Sequence, residues 1–510
     1  MNNAFPYPTL SAQEAVAMIH DGNTVSFSGF TPAGSAKAVP FALAEHAEHR
    51  HAQGHPFQIR VLTGASSGFS IDERLARAEA ISWRAPYQSG KTLRRQINNQ
   101  QVEYVDMHLS HVPQTVAFGF FKTIDLAVVE ATEITADGRV YLTTSIGASP
   151  TYLRHARKVI IEINRNQSPR LREMADILIP PTPPHRSPLN IFDPLTRIGV
   201  PYAVVDPKKV IGIVENNEPD DVASFTASDG VGHDIARHVT RFLAAEMHAG
   251  RIPAGFLPLQ AGVGNVANAV MAALGDCPDI PPFAMYTEVF QDALVDLMIR
   301  GKLTGASATA LNITTGCLAQ ILDQFDFFSQ RIVLRPQEIS NHPGVIRRLG
   351  VIAMNTAIEA DIYGNVNSSH LFGMDIMNGI GGSGEFTRNS YLSIFMTPSV
   401  AKGGLISAIV PMCPHIDNNE HSVQVLVTEQ GLADLRGLGP MQRATRIIDR
   451  CAHPAYRDYL QGYLQTARSG HIRHDLSRCF ELHRNLLETG SMLPDLFTPP
   501  AETVQPASPS

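Results

Sequence analysis

Glu288 is the residue whose sequence neighbours best place it to act on a ligand. It follows a short apolar run, FAMYT, and precedes a stretch with apolar residues every four positions from Phe290. This pattern predicts a strand that ends near Thr287 and passes directly into a helix, which Gly301 ends. Ligands bind at the carboxyl ends of strands in open α/β sheets, so a carboxylate there is well placed for catalysis. The alternative is an acid in the first helical turn, stabilised by the helix dipole.

The segment GVGNVANAV at 262–270 is typical of an anion-binding turn. It follows a predicted strand and opens a predicted helix, so its glycines let a ligand approach the backbone while the helix N-terminus attracts phosphate or another anion. Its first six residues also fit the dinucleotide pattern G-x-G-x-x-A, which favours an oxidoreductase. The acid that this pattern requires about 20 residues later has no clear candidate, because 276–282 is a proline-broken loop.

A second glycine-rich segment, NGIGGSGEF at 378–386, predicts a loop whose N–H groups can point at a ligand. Such groups form oxyanion holes, which stabilise the negative charge that develops on oxygen during acyl transfer. A tight turn that requires positive φ angles accounts for the same glycines. Lys402, in the run TPSVAKGG, is a candidate for binding phosphate or else a solvated surface charge.

The sequence TGASSGFS at 63–70 contains the G-x-S-x-G pattern of serine hydrolases, with Ser66 between Gly64 and Gly68. A nucleophilic serine also needs a histidine base and an acid that orients it. The spacing singles out no downstream Asp and His for these parts. Even without such partners, a Ser66 nucleophile is the main competitor to Glu288 among enzyme mechanisms.

Four histidines, His46, His49, His51 and His55, recur within the polar run EHAEHRHAQGH. The chain offers no cysteine or matching pair of ligands that would complete a metal site with them. The run is therefore interpreted as a solvated helix end, and the sequence predicts no metal ion.

Strands and helices must position these candidate residues. Short apolar runs rich in β-branched residues predict buried, mostly parallel strands at 24–30, 59–65, 124–132 and 158–164. Helical stretches between them, such as AVPFALAEHAE from Ala38, complete a βα alternation. The predicted fold class is therefore α/β.

The alternation begins twice, which indicates two related open α/β halves. The segment at 256–274 repeats the strand, glycine turn and helix of the segment at 25–43. A polar, loop-like passage at 215–230 separates them. A cleft between two such halves is a common place for a ligand.

The domain boundaries follow from this separation and from the length, because hydrophobic cores stop growing near ~250–300 residues. We predict an N-terminal α/β domain over 1–220 and a C-terminal α/β domain over 230–493 that carries the catalytic glutamate. The chain becomes strongly helical from about Pro440. The polar, proline-rich tail 494–510 is predicted to be disordered.

Composition excludes several functional classes. The 510 residues are 44% hydrophobic and 17% charged, which is typical of a globular chain. A net charge of −7 and a pI near 6.3 give no global positive field for nucleic acid or anionic lipid. No apolar run approaches the ~20 residues of a membrane helix, the N-terminus does not resemble a signal peptide, and the five cysteines are scattered. We therefore expect a cytoplasmic protein without nucleic-acid or membrane partners.

Several long runs together resemble the acetyl-CoA hydrolase/transferase family of class I CoA-transferases. In the second half they are GVGNVANAV, YTEVFQD, RPQEISNHPGVIRRLGVIAMN, DIYGNVNSSH, MNGIGGSGEFTRNSYLSIFMTPS and VTEQGLADLRG. In the first half they are VSFSGFTPAGSAKA, ISWRAPYQSG and YVDMHLSHV. The likeness covers nearly everything except the extreme N-terminus and the tail after about Leu493.

The resemblance implies two open α/β domains of the phosphosugar-isomerase-like kind, a homodimer, and Glu288 as a nucleophile that carries CoA as a glutamyl thioester. It also implies oxyanion-hole donors at Val263 and Gly382, and auxiliary polar residues at Asn341 and Glu429. The implied contacts to CoA are Gly262, Val263, Gly264, Asn265, Val266, Asn378, Gly382 and Lys402. Subunit-paired enzymes of the class show a GxGGF loop where this chain has GGSGEF, which leaves the donor geometry open.

The implied reaction moves CoA between propionyl-, acetyl- or succinyl-CoA and an acid such as succinate or acetate, with CoA as substrate and no other cofactor. The nearest likeness within the family is to the branch that pairs propionyl-CoA with succinate. An acyl-CoA hydrolase, using water with Glu288 or using Ser66, stays open, as does a non-catalytic CoA-binding regulator. For the far carboxylate of a dicarboxylate, Arg84, Arg94 and Arg95 are candidates, each with a surface charge as the alternative.

Overall fold

In the computed structural model, which describes residues 5–66, 68–223 and 230–493, two large parallel sheets face each other. Each sheet belongs to one half of the chain, and helices cover its faces. This arrangement confirms the α/β class and the two open α/β halves. The predicted tail 494–510 and the predicted linker residues 224–229 lie outside the described residues.

The first half supplies one large sheet and a small three-stranded one. Its strands are β1 (Thr24–Phe27), β2 (Ile59–Leu62), β3 (Ile81–Ala85), β4 (Glu103–Tyr104), β5 (Leu126–Ala131), β6 (Glu133–Ile134), β7 (Arg139–Tyr141), β8 (Lys158–Asn164), β9 (Ala203–Val204) and β10 (Val210–Asn216). Its α-helices are α1 (Ala12–Val16), α2 (Ala38–Ala52), α3 (Arg74–Arg77), α4 (Lys91–Asn98), α5 (His111–Ala117) and α6 (Ser149–His155).

The first large sheet has the order β10-β8-β5-β1-β2-β3-β4, and all its pairings are parallel. The four predicted strands of this half are its central members, β1, β2, β5 and β8. They read as continuous apolar runs because helices cover both faces of a parallel sheet. The strand burial confirms this, since every residue of β1 and β5 is buried.

The second half has more short strands. They are β11 (Leu259–Ala261), β12 (Phe283–Tyr286), β13 (Val289–Gln291), β14 (Leu303–Ala308), β15 (Ala310–Asn312), β16 (Ile332–Leu334), β17 (Ile352–Thr356), β18 (Glu359–Asp361), β19 (Val366–Asn367), β20 (His370–Leu371), β21 (Asp375–Ile376), β22 (Leu392–Met396), β23 (Val400–Ala401), β24 (Ile406–Ser407), β25 (Ile409–Val410), β26 (Val425–Thr428) and β27 (Gly431–Asp434).

The helices of the second half begin with α7 (Gly230–His248) and α8 (Asn265–Asp276). They continue with α9 (Asp292–Ile299), α10 (Thr315–Asp323), α11 (Phe325–Ser329), α12 (Gln337–Ser340), α13 (Pro343–Leu349), α14 (Ser383–Asn389), α15 (Pro440–Cys451), α16 (Pro454–Thr466) and α17 (Glu481–Thr489). The last three confirm the helical region predicted from Pro440.

The second large sheet has the order β16-β14-β12-β11-β17-β22-β26-β27, parallel except for the β26-β27 pair. In both sheets the first strand in chain order, β1 or β11, is central. The next three strands of the sheet lie on one side of it, and the later strands lie on the other side. The two halves therefore share one topology, which confirms that they are related units. The domain ranges themselves stay a prediction, because the main hydrophobic core is continuous across both halves, from Val129 and Val159 to Leu311 and Ile394.

The structure corrects the predicted strand-to-helix passage at Glu288. Thr287 and Glu288 separate β12 from another short strand, β13, which pairs with β15. Helix α9 begins only at Asp292. Phe290 is thus a strand residue and not the first member of a helical stripe. Glu288 lies outside the first turn of α9, so the interpretation as a dipole-stabilised helix acid is wrong.

Two global expectations can be compared with the described residues. No helix among them combines the length and apolarity needed to cross a bilayer. The cysteines, all within the described ranges, carry free thiols.

A buried charged cluster stabilises the first half. The Lys37 ammonium group donates to Glu130 Oε2 at 2.6 Å and to Asp220 Oδ1 at 2.9 Å, and the Glu130 side chain is fully buried. Burial lowers the pKa of Lys37, but the negative charges of Glu130 and Asp220 outweigh burial and raise this pKa above its ordinary value. The lysine therefore stays charged and compensates two buried carboxylates.

Replacing this lysine is expected to destabilise the fold. Lys37→Ala leaves Glu130 and Asp220 without their cation, and breaking such a buried pair costs about 3–5 kcal/mol. For a domain of about 150–250 residues we expect the thermal midpoint to fall by about 6–20 °C, measured by scanning fluorimetry. Lys158→Ala, at an exposed strand end, is the matched control and should leave the midpoint unchanged. Equal midpoints for both variants would contradict the assignment.

Candidate active site

A cavity of about 310 Å³ lies where the carboxyl ends of the two large sheets face each other. Residues that follow β1, β2, β3 and β4 line it from the first half, namely Phe30, Thr31, Ala65, Tyr87 and Leu109. Residues that follow β11, β12 and β17, together with the glycine-rich loop, line it from the second half, namely Gly262, Val263, Glu288, Val289, Asn355 to Ile358, Ser368 and Asn378 to Ser383. The expected ligand site between the halves is therefore present as a cavity.

Glu288 reaches this cavity from the end of β12. Its backbone carbonyl accepts a hydrogen bond from the Thr309 N–H at 2.8 Å, and the preceding Thr287 N–H donates to Ser307 at 2.9 Å. These bonds fix the chain on β14 where β12 ends. The side chain is half-buried, so its carboxylate is enclosed by protein yet faces the cavity.

One amide group connects two carboxylates beneath the cavity. Asn341 Nδ2 donates to Glu288 Oε1 at 2.6 Å and to Glu385 Oε2 at 2.8 Å. The Ser340 hydroxyl donates to Asn341 Oδ1 at 2.8 Å, which fixes the orientation of the amide. Glu385 Oε1 in turn accepts the Ser110 N–H at 2.8 Å. Both acceptors of the Asn341 NH₂ group are therefore held in place.

Burial sets the protonation of the two acids. It raises the pKa of Glu288 to about 7, against the smaller lowering effect of the Asn341 hydrogen bond. Burial also raises the pKa of Glu385 to about 8, where hydrogen bonding from Ser110 lowers it and the charge of Glu288 raises it. Both acids therefore ionise above the usual range of a glutamate, and the charge of one disfavours the charge of the other.

Gly382 packs against the Glu288 carboxyl group. A Cβ at this position would come within 3.0 Å of Cδ, Oε1 and Oε2 of Glu288. Its φ of −90° is open to any residue, so contact distance and not backbone conformation requires the glycine here. Among the described residues, the backbone N–H groups of Gly382 and Val263 donate to no protein acceptor. Both amides are thus available to a ligand in the cavity.

The glycine-rich loop that carries Gly382 is held by the first half. The Asp106 carboxylate accepts the Ile380 N–H at 2.9 and 3.0 Å, and the Asn98 side chain exchanges hydrogen bonds with Ile376 at 2.9 and 3.2 Å. A Cβ at Gly379 would collide with Asp106, Tyr104 and Tyr87. The loop is therefore positioned by close contact with the opposite half.

The structure brings together some of the residues predicted to contact CoA. Gly262, Val263, Asn378 and Gly382 line the cavity with Glu288. The remaining three of the first glycine segment, Gly264, Asn265 and Val266, continue from Val263 into the first turn of α8, outside the cavity lining. Their predicted contacts with CoA stay predictions.

Lys402 and Glu429 lie away from the cavity lining. Lys402 is exposed, with a φ of +47°, in a single-turn helix, Lys402–Gly404. Glu429 accepts the Ser399 N–H at 2.8 Å and also the Ser399 hydroxyl, so it holds the segment that leads to Lys402. These contacts lower the pKa of Glu429 although burial acts to raise it. Their predicted roles toward CoA and the thioester stay predictions.

The rival nucleophile Ser66 is buried in the loop four residues after β2, the strand that corresponds in sheet order to β12 of the other half. Its hydroxyl donates to Asp72 at 3.3 Å and shares a hydrogen bond with Ser89 at 2.9 Å. Among the described residues, no histidine hydrogen-bonds Ser66. Within the described part of the chain, Ser66 therefore lacks the hydrogen-bonded histidine base that a serine hydrolase needs.

The three candidate arginines differ in position. Arg84 is fully buried and ion-paired with Asp72 at 2.8 Å, so the expectation of a surface charge was wrong for it. Arg94 is half-buried and donates to the Ser89 carbonyl at 3.1 Å, whereas Arg95 is exposed. None of them lines the cavity. The residue that binds a second carboxylate stays open.

The four clustered histidines lie along α2 and just after it. His46 packs edge-on against Phe57 with ring centroids 4.9 Å apart, and His51 Nε2 lies 3.1 Å from the Phe57 carbonyl oxygen. Within the described part of the chain, these histidines form no converging set of three metal ligands.

Sequence reasoning missed three polar residues of the site. Tyr87 and Asp106 come from the first half, and Glu385 lies inside the glycine-rich run itself. In the sequence, Tyr87 stood out only as part of the run ISWRAPYQSG. Glu385 could have been proposed because it is an acid within the glycine-rich run GGSGEF. No local pattern indicates which residues of one half will contact the other.

Comparison with known proteins gives the following matches. The family model described as "Acetyl-CoA hydrolase/transferase N-terminal domain" matches residues 1–215, and the model of the corresponding C-terminal domain matches residues 318–464. Glu288 lies between the two matched ranges.

Three similar proteins are named for their activities. Propanoyl-CoA:succinate CoA transferase of Escherichia coli is 56% identical over 95% of this chain and 98% of that protein. Succinyl-CoA:acetate CoA-transferase of Clostridium kluyveri is 43% identical over 95% and 90%. Acetyl-CoA hydrolase of Schizosaccharomyces pombe is 42% identical over 94% of each chain.

Solved structures agree on the fold. RipA from Yersinia pestis matches with a TM-score of 0.69 and 25% identity, covering 89% of this chain and 96% of that chain. 4-Hydroxybutyrate CoA-transferase from Porphyromonas gingivalis matches with a TM-score of 0.60 and 20% identity, covering 90% and 97%. The second likeness supports the fold alone.

The contact between Gly382 and Glu288 can be tested directly. In Gly382→Ala the new methyl group collides with the carboxyl group, so we expect Glu288 to rotate away and its 2.6 Å bond to Asn341 to exceed 3.5 Å in a crystal structure. Gly316→Ala is the control, since a Cβ there meets open space on α10. An unmoved Glu288 in the first variant would show that the packing argument is wrong.

Proposed function

The chain belongs to the acetyl-CoA hydrolase/transferase family, and we propose that it transfers CoA between a short-chain acyl-CoA and a carboxylic acid. Propionyl-CoA with succinate is the first pair to test, followed by acetyl-CoA or succinyl-CoA with acetate or succinate. One observation carries the proposal: the Glu288 carboxylate shares a cavity with two backbone amides that have no acceptor in the described part of the chain.

Glu288 is proposed as the nucleophile. Its carboxylate oxygen attacks the thioester carbon of the acyl-CoA, the C–S bond breaks, and CoA leaves as thiolate from a mixed anhydride. The thiolate then attacks the Glu288 carbonyl carbon of the anhydride, which releases the first acid as carboxylate and leaves a glutamyl-CoA thioester. The second acid reverses both steps and departs as the new acyl-CoA. Atoms and charge balance without an oxidant or reductant.

The two backbone amides are proposed as oxyanion donors. Each addition to a carbonyl carbon places negative charge on its oxygen, and one well-placed donor is worth about 3–4 kcal/mol to such a transition state. Gly382 packs against the Glu288 carboxyl group at the start of α14, and Val263 lines the same cavity from the β11–α8 turn. Two donors from separate elements define a fixed position for the oxygen.

Asn341 and Glu385 are proposed to position the nucleophile. The Asn341 amide holds one oxygen of Glu288, so the other oxygen is directed at the substrate. Glu385 accepts the second hydrogen of the same amide and prevents it from turning. A fixed nucleophile requires less reorganisation to reach the attack geometry.

The proposed reaction uses CoA as a substrate and needs no metal or redox cofactor, because the thioester energy passes from one acid to the other. The first glycine segment, Asn378 and Lys402 are proposed to contact CoA. We further propose a cytoplasmic homodimer with acyl-CoA and small carboxylic acids as its partners, and no nucleic-acid or membrane partner.

A hydrolase is the second candidate function, because the S. pombe relative carries that name at 42% identity. It would use the same Glu288 and differ only in the access of water to the anhydride or thioester. The cavity is lined by apolar groups such as Phe30, Leu109 and Val289, which favours exclusion of water and hence transfer.

An acceptor screen distinguishes these functions. Purified enzyme with propionyl-CoA is expected to form succinyl-CoA when succinate is added, at a rate at least tenfold above the release of free CoA without acceptor. Mass spectrometry of enzyme with acyl-CoA and no acceptor should find CoA joined to the peptide that contains Glu288. Chromatography measures succinyl-CoA and free CoA, and peptide mapping locates the adduct.

Two variants provide the controls. Glu288→Gln keeps the shape but removes the nucleophilic charge, so transfer and the adduct should fall below detection. Ser66→Ala should retain transfer, since its hydroxyl bonds only Asp72 and Ser89. Loss of activity in Ser66→Ala with full activity in Glu288→Gln would overturn the mechanism.

The pH profile tests the role of Asn341. A nucleophile with a pKa of about 7 predicts an acid limb of kcat/KM near that pH. The Asn341 hydrogen bond stabilises the charged form and lowers this pKa, so its removal in Asn341→Ala should move the acid limb to higher pH. Hydrogen bonds to charged groups are worth about 1.5–3 kcal/mol, so we expect roughly tenfold or greater loss at pH 6.

The control for this profile is Asn389→Ala, because the Asn389 side chain donates to the Glu385 carbonyl on α14 away from the carboxylates. Its acid limb should match that of the wild type. An unchanged limb in Asn341→Ala would mean that the hydrogen bond does not set the ionisation of Glu288.

A further inference from the structure

Behind the glycine-rich loop lies a cluster that the proposed reaction does not use. His370, His415 and Asp417 each offer one ligand atom, and these atoms all lie within 4.8 Å of one another. The two imidazole rings lie 3.9 Å apart with a tilt of 38°, and His415 Nε2 is 3.0 Å from Asp417 Oδ1. The three side chains therefore converge on one point from two loops.

The Asp417 carboxylate needs a positive partner. Its side chain is only 3% exposed, and among the described residues it has no lysine or arginine within ion-pair distance. Its other contacts are neutral donors: the Ser368 N–H at 2.6 Å, the Ser368 hydroxyl at 3.1 Å and the Ser369 hydroxyl at 2.7 and 2.8 Å. A buried carboxylate is normally paired with a cation or coordinates a metal.

The surrounding bonds orient the ligands as in a metal site. The Ser369 hydroxyl contacts His370 Nδ1 at 2.7 Å, which leaves Nε2 of that ring for an ion. Asp417 is held on β19 because its own N–H and that of the next residue donate to the Val366 carbonyl at 2.9 and 3.1 Å. Partners of this kind fix ring orientation and tautomer in metal proteins.

We propose that His370, His415 and Asp417 bind a divalent transition-metal ion of the zinc class. Two imidazoles and one carboxylate suit Zn²⁺, Co²⁺ or Ni²⁺, whereas Mg²⁺ and Ca²⁺ prefer oxygen ligands. Tetrahedral zinc bonds of about 2.0–2.2 Å place ligand atoms about 3.3–3.6 Å apart, so a pair at the 4.8 Å limit must close by about 1.2–1.5 Å.

The ion would act on structure and not on the acyl transfer. The Ser369 carbonyl accepts the Met377 N–H at 2.7 Å, and the Ser368 carbonyl accepts Asn378 Nδ2 at 3.2 Å. Asn378 begins the loop that lines the cavity. A metal at this cluster therefore stabilises the turn on which that loop rests. The proposal does not depend on the proposed function.

Calorimetry with ZnCl₂ tests the site. The full chain is stripped with a chelator, dialysed, and titrated without substrates. We expect one Zn²⁺ per chain, and at least a tenfold weaker affinity in His370→Ala/His415→Ala and in Asp417→Asn. His49→Ala/His55→Ala, in the other histidine-rich segment, is the matched control and should bind as the wild type does.

A second readout needs no variant. Hydrogen exchange in peptides covering 366–378 of the wild type should slow when Zn²⁺ is added, while peptides of α2 should not change. Stoichiometric binding that survives both cluster variants, protection that appears elsewhere, or no binding in the wild type would each overturn the proposal. Absence of zinc binding would not affect the acyl-transfer assay, and absence of the Glu288 adduct would not affect the zinc titration.

Discussion

The site depends on one amide group. Asn341 offers two hydrogens, and each is used by a different buried carboxyl group, Glu288 at 2.6 Å and Glu385 at 2.8 Å. Two acids this close would repel each other if both were ionised, and burial raises the pKa of both above the ordinary value of a glutamate. Glu288 is the one that faces the cavity. One hydrogen-bonding group thus holds both carboxyl groups in place and fixes where Glu288 points.

The repeated sheet topology explains why that carboxylate has an enclosed place to act. Parallel strands end at one edge of a sheet, and here two such edges face each other. Ser66 and Glu288 both follow the second strand of the sheet in their half, Ser66 four residues after β2 and Glu288 two residues after β12. Only the second faces the cavity with free backbone amides nearby, whereas the first is tied into hydrogen bonds with Asp72 and Ser89. Related halves have therefore acquired different chemical roles.

The glycine-rich loop links this chemistry to the rest of the fold. It is held from the first half by Asp106, and its lower end rests on the turn next to the cluster of His370, His415 and Asp417. Two of its glycines serve contact, since side chains at Gly379 and Gly382 would collide with Asp106 and Glu288, whereas Gly381 has a φ of +60°, which favours glycine. The distance between the donor at Gly382 and the nucleophile is therefore set by packing between halves.

The sequence by itself determined the elements and the candidate list, because both depend on local patterns. The buried parallel strands, the repeat of the α/β unit and the glycine segments at 262–270 and 378–386 were all predictable, and family resemblance singled out Glu288. What only the tertiary structure decided was the contact set: that Glu288 follows β12 rather than beginning α9, that Asn341 bridges it to Glu385, and that Tyr87 and Asp106 complete the site. These contacts join residues far apart in the chain. Their geometry follows from how two sheets pack, and no periodicity within either half records it.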